Sequence, residues 1–289
     1  GTNSVYLNGM EGAYSLVLLD GVPLLGGRAS AYALDGIPLN MVQQVEVIQG
    51  PSSARFGSQA VGGVINVVLA PLHQGDAFSS LRLDGHGRFQ TSGSAVLGRE
   101  NALWQVGVDG IHFQRRIDDN GDGFTDAPNI DRVVTTLRHQ HLSNERQSRL
   151  TARLFVEERF GGETGFREVD RGTDRAYGEC IDLLRSEMTW GSAPRRGRGW
   201  TFQGGGAFHR QNSTYGMTAF DAQEWIANVD AFHSGWSWSE NQYLRGGASL
   251  LWDVYKDETP ASSDMNVWVP SLFGEYAGEA GSWSWIHGV

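Results

Sequence analysis

Nine residues in the middle of the chain, Asp118-Asp119-Asn120-Gly121-Asp122-Gly123-Phe124-Thr125-Asp126, place oxygen atoms at the spacing of a calcium loop. Counted from Asp118, side-chain oxygens fall at positions 1, 3, 5 and 9 (Asp118, Asn120, Asp122, Asp126), with the Phe124 carbonyl at position 7 and Gly123 at position 6, where an EF-hand loop turns sharply. Position 12 should bring a bidentate glutamate and is Asn129 instead. No helices are expected on either side. A Ca2+ loop and a solvated acidic loop both remain open. His139 and His141 alternate on one predicted strand, which suits either a metal pair or polar residues facing a lumen, and His112, His209 and His233 are isolated. Cys180 is the one cysteine, so it supports no internal disulfide and no cysteine zinc site, and it is expected to pack as a small apolar residue. No nucleophile, base and orienter stand in motif order, and no phosphate-cradling loop is present. No enzyme activity, no catalytic residues and no required cofactor are therefore expected, with Ca2+ the one candidate ion.

The elements that would carry these residues are extended. The chain has 39 glycines and 10 tryptophans among 289 residues, and its apolar residues come in short alternating runs, as in turn-rich β proteins. The formal charge is −10, which repels nucleic-acid phosphates and excludes DNA and RNA as partners. No run of about 18 apolar residues exists, so no transmembrane helix is predicted; barrel strands need only about 9–11 alternating residues.

Texture divides the chain near residue 71. Before it, Leu16–Leu19, Val45–Ile48 and Val64–Leu69 are continuous apolar runs stopped by Asp20-Gly21, Gly50-Pro51 and Pro71. They predict a small α+β unit whose strands are buried on both faces, with Met41–Gln44 either a helical turn or the lead-in to a strand. After it, long alternating segments predict antiparallel strands near 78–89, 92–99, 102–116, 131–142, 147–159, 180–191, 199–211, 222–236, 240–256, 265–278 and 281–289. Trp104, Val106 and Val108 take one face and Gln105, Gly107 and Asp109 the other; Thr151, Arg153, Phe155 and Glu157 alternate with Ala152, Leu154 and Val156. Short links are read at Gln90-Thr91, 143–146 and 237–239, and long ones at 117–130, 160–178 and 257–264. Long strands joined alternately by tight turns and long loops, with Trp190, Trp200, Trp225, Trp236, Trp238, Trp252, Trp268, Trp283 and Trp285 mostly towards strand ends, are the pattern of an outer-membrane barrel with interfacial aromatics. A soluble β-sandwich or lectin-like barrel with core tryptophans is the alternative.

The first region carries the decisive string. Val17-Leu18-Leu19-Asp20-Gly21-Val22-Pro23 is followed by Ile37-Pro38, Val45-Glu46-Val47, Gly50-Pro51, Ser52-Ser53-Ala54-Arg55-Phe56-Gly57-Ser58, Ala60 and Gly62-Gly63-Val64-Ile65-Asn66. In this order the elements resemble the plug domain of TonB-dependent outer-membrane receptors. The resemblance implies the back of a plug at 1–71 and a partial barrel of about 10–11 strands at 72–289. It implies plug-motif and plug-seating roles for Asp20, Gly21, Glu46, Gly50, Pro51, Arg55, Gly57, Ser58, Gly62, Gly63 and Asn66. Glu46 and Arg55 in particular would pair with charges of the barrel wall; an ion pair within the plug is the plainer reading of the same residues.

The family's activity would then be active uptake of a scarce, large nutrient, of the cobalamin or iron–siderophore type, in the outer membrane of a Gram-negative bacterium. Implied partners are the TonB energy-transducing complex, outer-membrane lipid and lipopolysaccharide, and a small metal-chelate ligand. A passive porin or a soluble carbohydrate-binding β protein are the rivals. Family barrels have about 22 strands around the plug. The sequence therefore reads as a fragment lacking the N-terminal coupling box and the closing strands. Alone it is expected neither to insert stably nor to transport, since an open edge in lipid is not viable.

Overall fold

Asp20 and Gly21 set the first turn of the protein. Both have positive φ, 50° and 82°, the requirement of a two-residue type I′ hairpin, which Asp-Gly meets cheaply. They join β1 (Ser15–Leu19) to the short β2 (Val22–Pro23). The computed structural model describes residues 15–24, 36–49, 60, 62–239, 242–258, 264–280 and 283–288. Gly50, Pro51, Arg55, Gly57 and Ser58 of the plug string lie outside the described residues.

A small four-stranded sheet has the order β2-β1-β4-β3, with β3 at Val42–Gln49 and β4 at Gly63–Leu69. β1 runs parallel to β4, and β3 antiparallel to it. Alternate residues of β1 enter two apolar clusters. Val17 and Leu19 pack with Leu24, Ile37, Met41, Val67 and Leu69, while Leu16 and Leu18 pack with Ala60 and Val64. β1 and β4 are thus covered on both faces, which is why they read as apolar runs, broken in β4 only by Asn66. β3 departs from the expectation: Val45, Val47 and Ile48 are all about half exposed, because among the described residues β3 is the edge strand of its sheet. Before β3 the chain makes a 3-10 turn, Leu39–Met41, and Val42 already begins the strand; a second 3-10 turn, Glu168–Asp170, lies in a later loop.

From Ala77 the chain forms one antiparallel meander of eleven strands in sequence order: β5 (Ala77–Leu83), β6 (Phe89–Arg99), β7 (Ala102–Phe113), β8 (Asn129–Leu142), β9 (Arg146–Gly162), β10 (Gly178–Pro194), β11 (Gly199–Tyr215), β12 (Thr218–Ser239), β13 (Gln242–Asp257), β14 (Met265–Ala280) and β15 (Trp283–Gly288). The fold is mainly β, a small sheet followed by long antiparallel strands that do not close into a barrel.

Two short links fall elsewhere than the sequence suggested. Gln90 and Thr91 lie inside β6, and the β5–β6 turn is Asp84–Arg88, where the Asp84 carboxylate accepts the N–H groups of His86 and Arg88 at 3.0 and 2.9 Å and Gly87 has φ 86°. Residues 237–239 belong to β12. The side-chain oxygen that makes the Asp84 turn outweighs an alternation that would have carried the strand through it. Links at 143–145 and 195–198 fall on one rim of the sheet, and the long segments 114–128 and 163–177 on the other.

The parity of side chains holds along the meander. Gln105, Thr136, Arg138, Thr151, Arg153, Phe155, Glu157, Arg185, Glu187 and Gln203 are buried on the face that carries the small sheet. Trp104, Val106, Val108, Val133, Leu154, Val156, Met188 and Val229 are exposed on the other. The buried face is largely polar, with an apolar cluster of Val134, Phe155, Ile181 and Leu183, and the exposed face largely apolar, the reverse of a soluble protein.

Candidate functional site

The small sheet is seated on the polar face of the meander, and the seat is built from three polar contacts. At the hairpin tip, Asp20 accepts the Leu69 N–H at 2.9 Å, which ties β1–β2 to the end of β4, and its carboxylate lies 3.8 Å from the Arg149 guanidinium of β9. The Gly21 carbonyl accepts from Gln203 Nε2 of β11 at 3.4 Å. Arg138 of β8 is buried; it donates to the Ala70 carbonyl at 3.0 Å and to Gln105 Oε1 at 2.8 Å. Steric fit adds to these. The Met41 side-chain tip fills the space left by the missing side chain of Gly107, and Gly36 faces Phe155. A cavity of about 160 Å³ remains beside the hairpin, lined by Leu19, Val22, Thr151, Thr189 and Gln203.

Asn66 holds the interior of the plug string together. Its Oδ1 accepts the Gly21 N–H at 2.9 Å, and its Nδ2 donates to Glu46 at 2.8 Å. Glu46 also accepts from Gln44 at 2.7 Å. Glu46, on exposed β3, thus contacts amides of its own sheet. Gly62 is buried at the entry to β4, and Gly63 opens that strand with φ 137°, a conformation that suits glycine. Arg138, Arg149 and Gln203 make the wall side of the seat, and the sequence reading did not single them out. Their signal was a polar residue on the buried parity of a strand, but only the register between the two sheets shows which of many such residues meet the plug.

Above the seat the buried face carries a ladder of charges. Glu157 is flanked by Arg132 and by Arg159 at 2.7 Å; one strand over, Glu187 contacts Arg153 and lies 2.9 Å from Arg185. Glu187, Arg153 and Arg185 are each less than about a tenth exposed. Buried charges persist only when paired in this way.

The two long segments pack on each other at the far rim. Thr125 N–H donates to Gly162 O, and Thr164 N–H to Gly123 O, each at 2.8 Å, while Arg116 donates to the carbonyls of Thr164 and Phe166 and lies over the Phe160 ring. Arg171 pins the second segment to the wall through Asp182 at 3.0 Å and Asn212 at 2.9 Å. Asp170 accepts the Arg167 N–H at 3.0 Å, with the Arg175 guanidinium 3.5 Å away. Burial works against its charge, but that N–H and the two guanidiniums prevail and hold the carboxyl below its usual range.

The calcium-like loop is organised around its own backbone. Asp118 accepts the N–H groups of Gly121, Asp122 and Gly123; Asn120 and Asp122 accept those of Asp122 and Phe124; Asp126 accepts that of Asp119 at 2.6 Å. Phe124 bridges to Glu163 in the second long segment. Among the described residues no three histidine, cysteine or acidic side chains are gathered as a metal site. His139 does not face the polar side: it stacks on Trp104 at 4.1 Å, on the exposed apolar face, and its Nδ1 donates to Leu103 O at 3.1 Å. His209 is buried on the polar face, and Cys180 is buried.

Residues 1–64 match the family model of the TonB-dependent receptor plug domain. The whole fold is similar to solved receptors. A mutant of the ferric enterobactin receptor PfeA from Pseudomonas aeruginosa superposes with TM-score 0.71 at 15% identity, covering 97% of this chain and 49% of that one. The alcaligin outer-membrane receptor FauA from Bordetella pertussis gives 0.63 at 13%, covering 98% and 56%. The copper transporter OprC gives 0.53 at 14%, covering 99% and 58%. The chain thus spans about half the length of these structures. Its plug string, its plug sheet seated on a polar wall, and the match of residues 1–64 agree: residues 1–64 match the TonB-dependent receptor plug domain, and the chain as a whole shares the fold of the solved receptors.

Proposed function

We propose that the protein acts as an outer-membrane receptor that takes up a scarce, large ligand with energy delivered by a TonB complex, and that the ligand is an iron–siderophore. The observation that carries this reading is the plug hairpin fastened to the wall through Asp20–Arg149, Gly21–Gln203 and Ala70–Arg138. A passive porin has no use for a plug, and a soluble carbohydrate-binding protein would not expose an apolar face. The aromatic belts support the membrane setting. Trp225 and Trp236 of β12 both lie on the apolar face, eleven positions apart. At ~3.3 Å per residue and a strand tilt of ~40°, that is ~28 Å of height, close to the ~25 Å apolar band of barrel proteins.

The iron–siderophore reading, in preference to cobalamin, rests on the similar solved structures, which include receptors for ferric enterobactin and alcaligin. The test is uptake of radiolabelled iron by cells carrying the gene, with the iron presented in turn as a catecholate and a hydroxamate chelate, with and without a working TonB. TonB-dependent accumulation of one chelate is expected. Accumulation that persists without TonB would return the protein to the passive channels, and uptake of cobalamin alone would overturn the ligand class.

A further inference from the structure

We propose that the β10–β11 turn and the aromatic cluster beside it form a binding site for an anionic glycerophospholipid of the leaflet on the short-turn side of the membrane. The proposal rests on the membrane reading above and adds a ligand to it. The turn Arg195-Arg196-Gly197-Arg198 carries three exposed arginines in four residues, in a chain whose formal charge is −10. Glu145 lies in the neighbouring 143–145 turn, and the Arg195 backbone N–H donates to its carbonyl at 2.8 Å. Guanidinium groups suit phosphate because their planar donors match its oxygens.

The turn is built, not loose. Arg195 Nη1 donates to Ser143 O at 3.2 Å, and Ser234 Oγ donates to Gly197 O at 2.9 Å. The second anchor is a bulge in β12: the register with β13 shifts between Ser234 and Trp236, and Gly235 has φ 100°. The bulge has two consequences. The missing side chain of Gly235 leaves the space in which the Arg198 stem lies. The extra residue also reverses the parity of the strand, which brings Trp236 to the apolar face beside His233, with ring centroids 4.4 Å apart.

There Trp236 meets Trp200 at 6.5 Å, and Trp200 stacks on Phe202 at 6.1 Å. Trp200, Phe202 and Trp236 are each more than two-fifths exposed. Arg146 clasps the cluster from β9 through Ser192 O at 2.8 Å and Trp200 O at 3.1 Å. Three cations directly adjoin amphipathic rings on the face that continues into the apolar band. A lipid fits this arrangement, with acyl chains along the band, its glycerol region at the rings, and its phosphate among the arginines. An acidic protein would satisfy the arginines and leave the rings unused.

The experiment is native mass spectrometry of the full-length chain released from detergent micelles after titration with phosphatidylglycerol and, separately, phosphatidylethanolamine. Retention of phosphatidylglycerol over phosphatidylethanolamine is expected. In a triple variant, R195Q/R196Q/R198Q, its affinity should fall by roughly 5-fold per arginine, on the order of 100-fold in total, the effect of a basic residue near an anionic surface. If the triple variant does not fold, Arg196→Gln alone, at an exposed position, should still give the single step. Equal retention of the two lipids, or unchanged phosphatidylglycerol affinity in the variants, would overturn the proposal. Heat-modifiable mobility of the same samples reports separately whether the barrel reading holds.

Discussion

Arg138 is the residue on which the seat depends most. It is buried on the wall and satisfies two acceptors, the Ala70 carbonyl at the end of the plug and Gln105. Arg138→Ala leaves both without that donor, and a buried polar group so stranded costs about 1–3 kcal/mol. The expected result is a lower thermal midpoint in heat-modifiability electrophoresis and earlier proteolysis of residues 15–24, while a distant exposed substitution such as Arg82→Ala changes neither. Asp170 makes a second prediction. Its carboxyl is held below the usual range, so its contribution to loop order is complete above the ordinary carboxylate pKa, ~3.9, and is lost as pH falls through the lowered value. Amide hydrogen exchange across 163–177 should quicken in that acid window, and Asp170→Asn should remove the pH dependence. The motif residues Asp20, Gly21 and Asn66 could be picked out from the sequence because their types are dictated by backbone conformation and by a turn. Arg138 and Arg149 could not, since an arginine on a polar parity looks the same wherever it faces.

At the scale of elements, alternation in the sequence located all eleven strands of the meander, because one face must be apolar and the other polar along each strand. What it missed were the interruptions. The Asp84 turn and the Gly235 bulge depend on one side-chain oxygen and one positive φ, which leave hardly a trace in a two-residue period. The edge position of β3 was also hidden, since an edge and a central strand can carry the same Val-Glu-Val run. Gly235→Ala tests the bulge: positive φ with a Cβ costs about 1–2 kcal/mol, and the new methyl would press on the Arg198 stem. Lower thermal stability and a changed tryptophan emission from the Trp200–Trp236 pair are expected. Glu187→Ala tests the wall. It removes the buried carboxylate that Arg153 and Arg185 share, and breaking a buried pair costs about 3–5 kcal/mol; chemical denaturation should show it, with Glu187→Gln intermediate.

At the scale of the molecule, the account is that of a wall with two opposite solvents. One face is polar and buried under the plug, the other apolar and exposed between two aromatic belts, Trp104, Trp200 and Trp236 at one rim and Trp225, Trp252 and Trp268 towards the other. The measurement that tests this most directly is spin-label accessibility in the protein reconstituted in lipid, with Cys180 replaced by serine and single cysteines placed at 105, 106, 107 and 108 of β7 and 151, 154 and 156 of β9. Labels at 106, 108, 154 and 156 should relax with oxygen dissolved in the bilayer and be shielded from a water-soluble nickel chelate, and those at 105, 107 and 151 should be shielded from both by the plug. Labels at 106, 108, 154 and 156 that relax with the nickel chelate as freely as a surface loop would contradict the account.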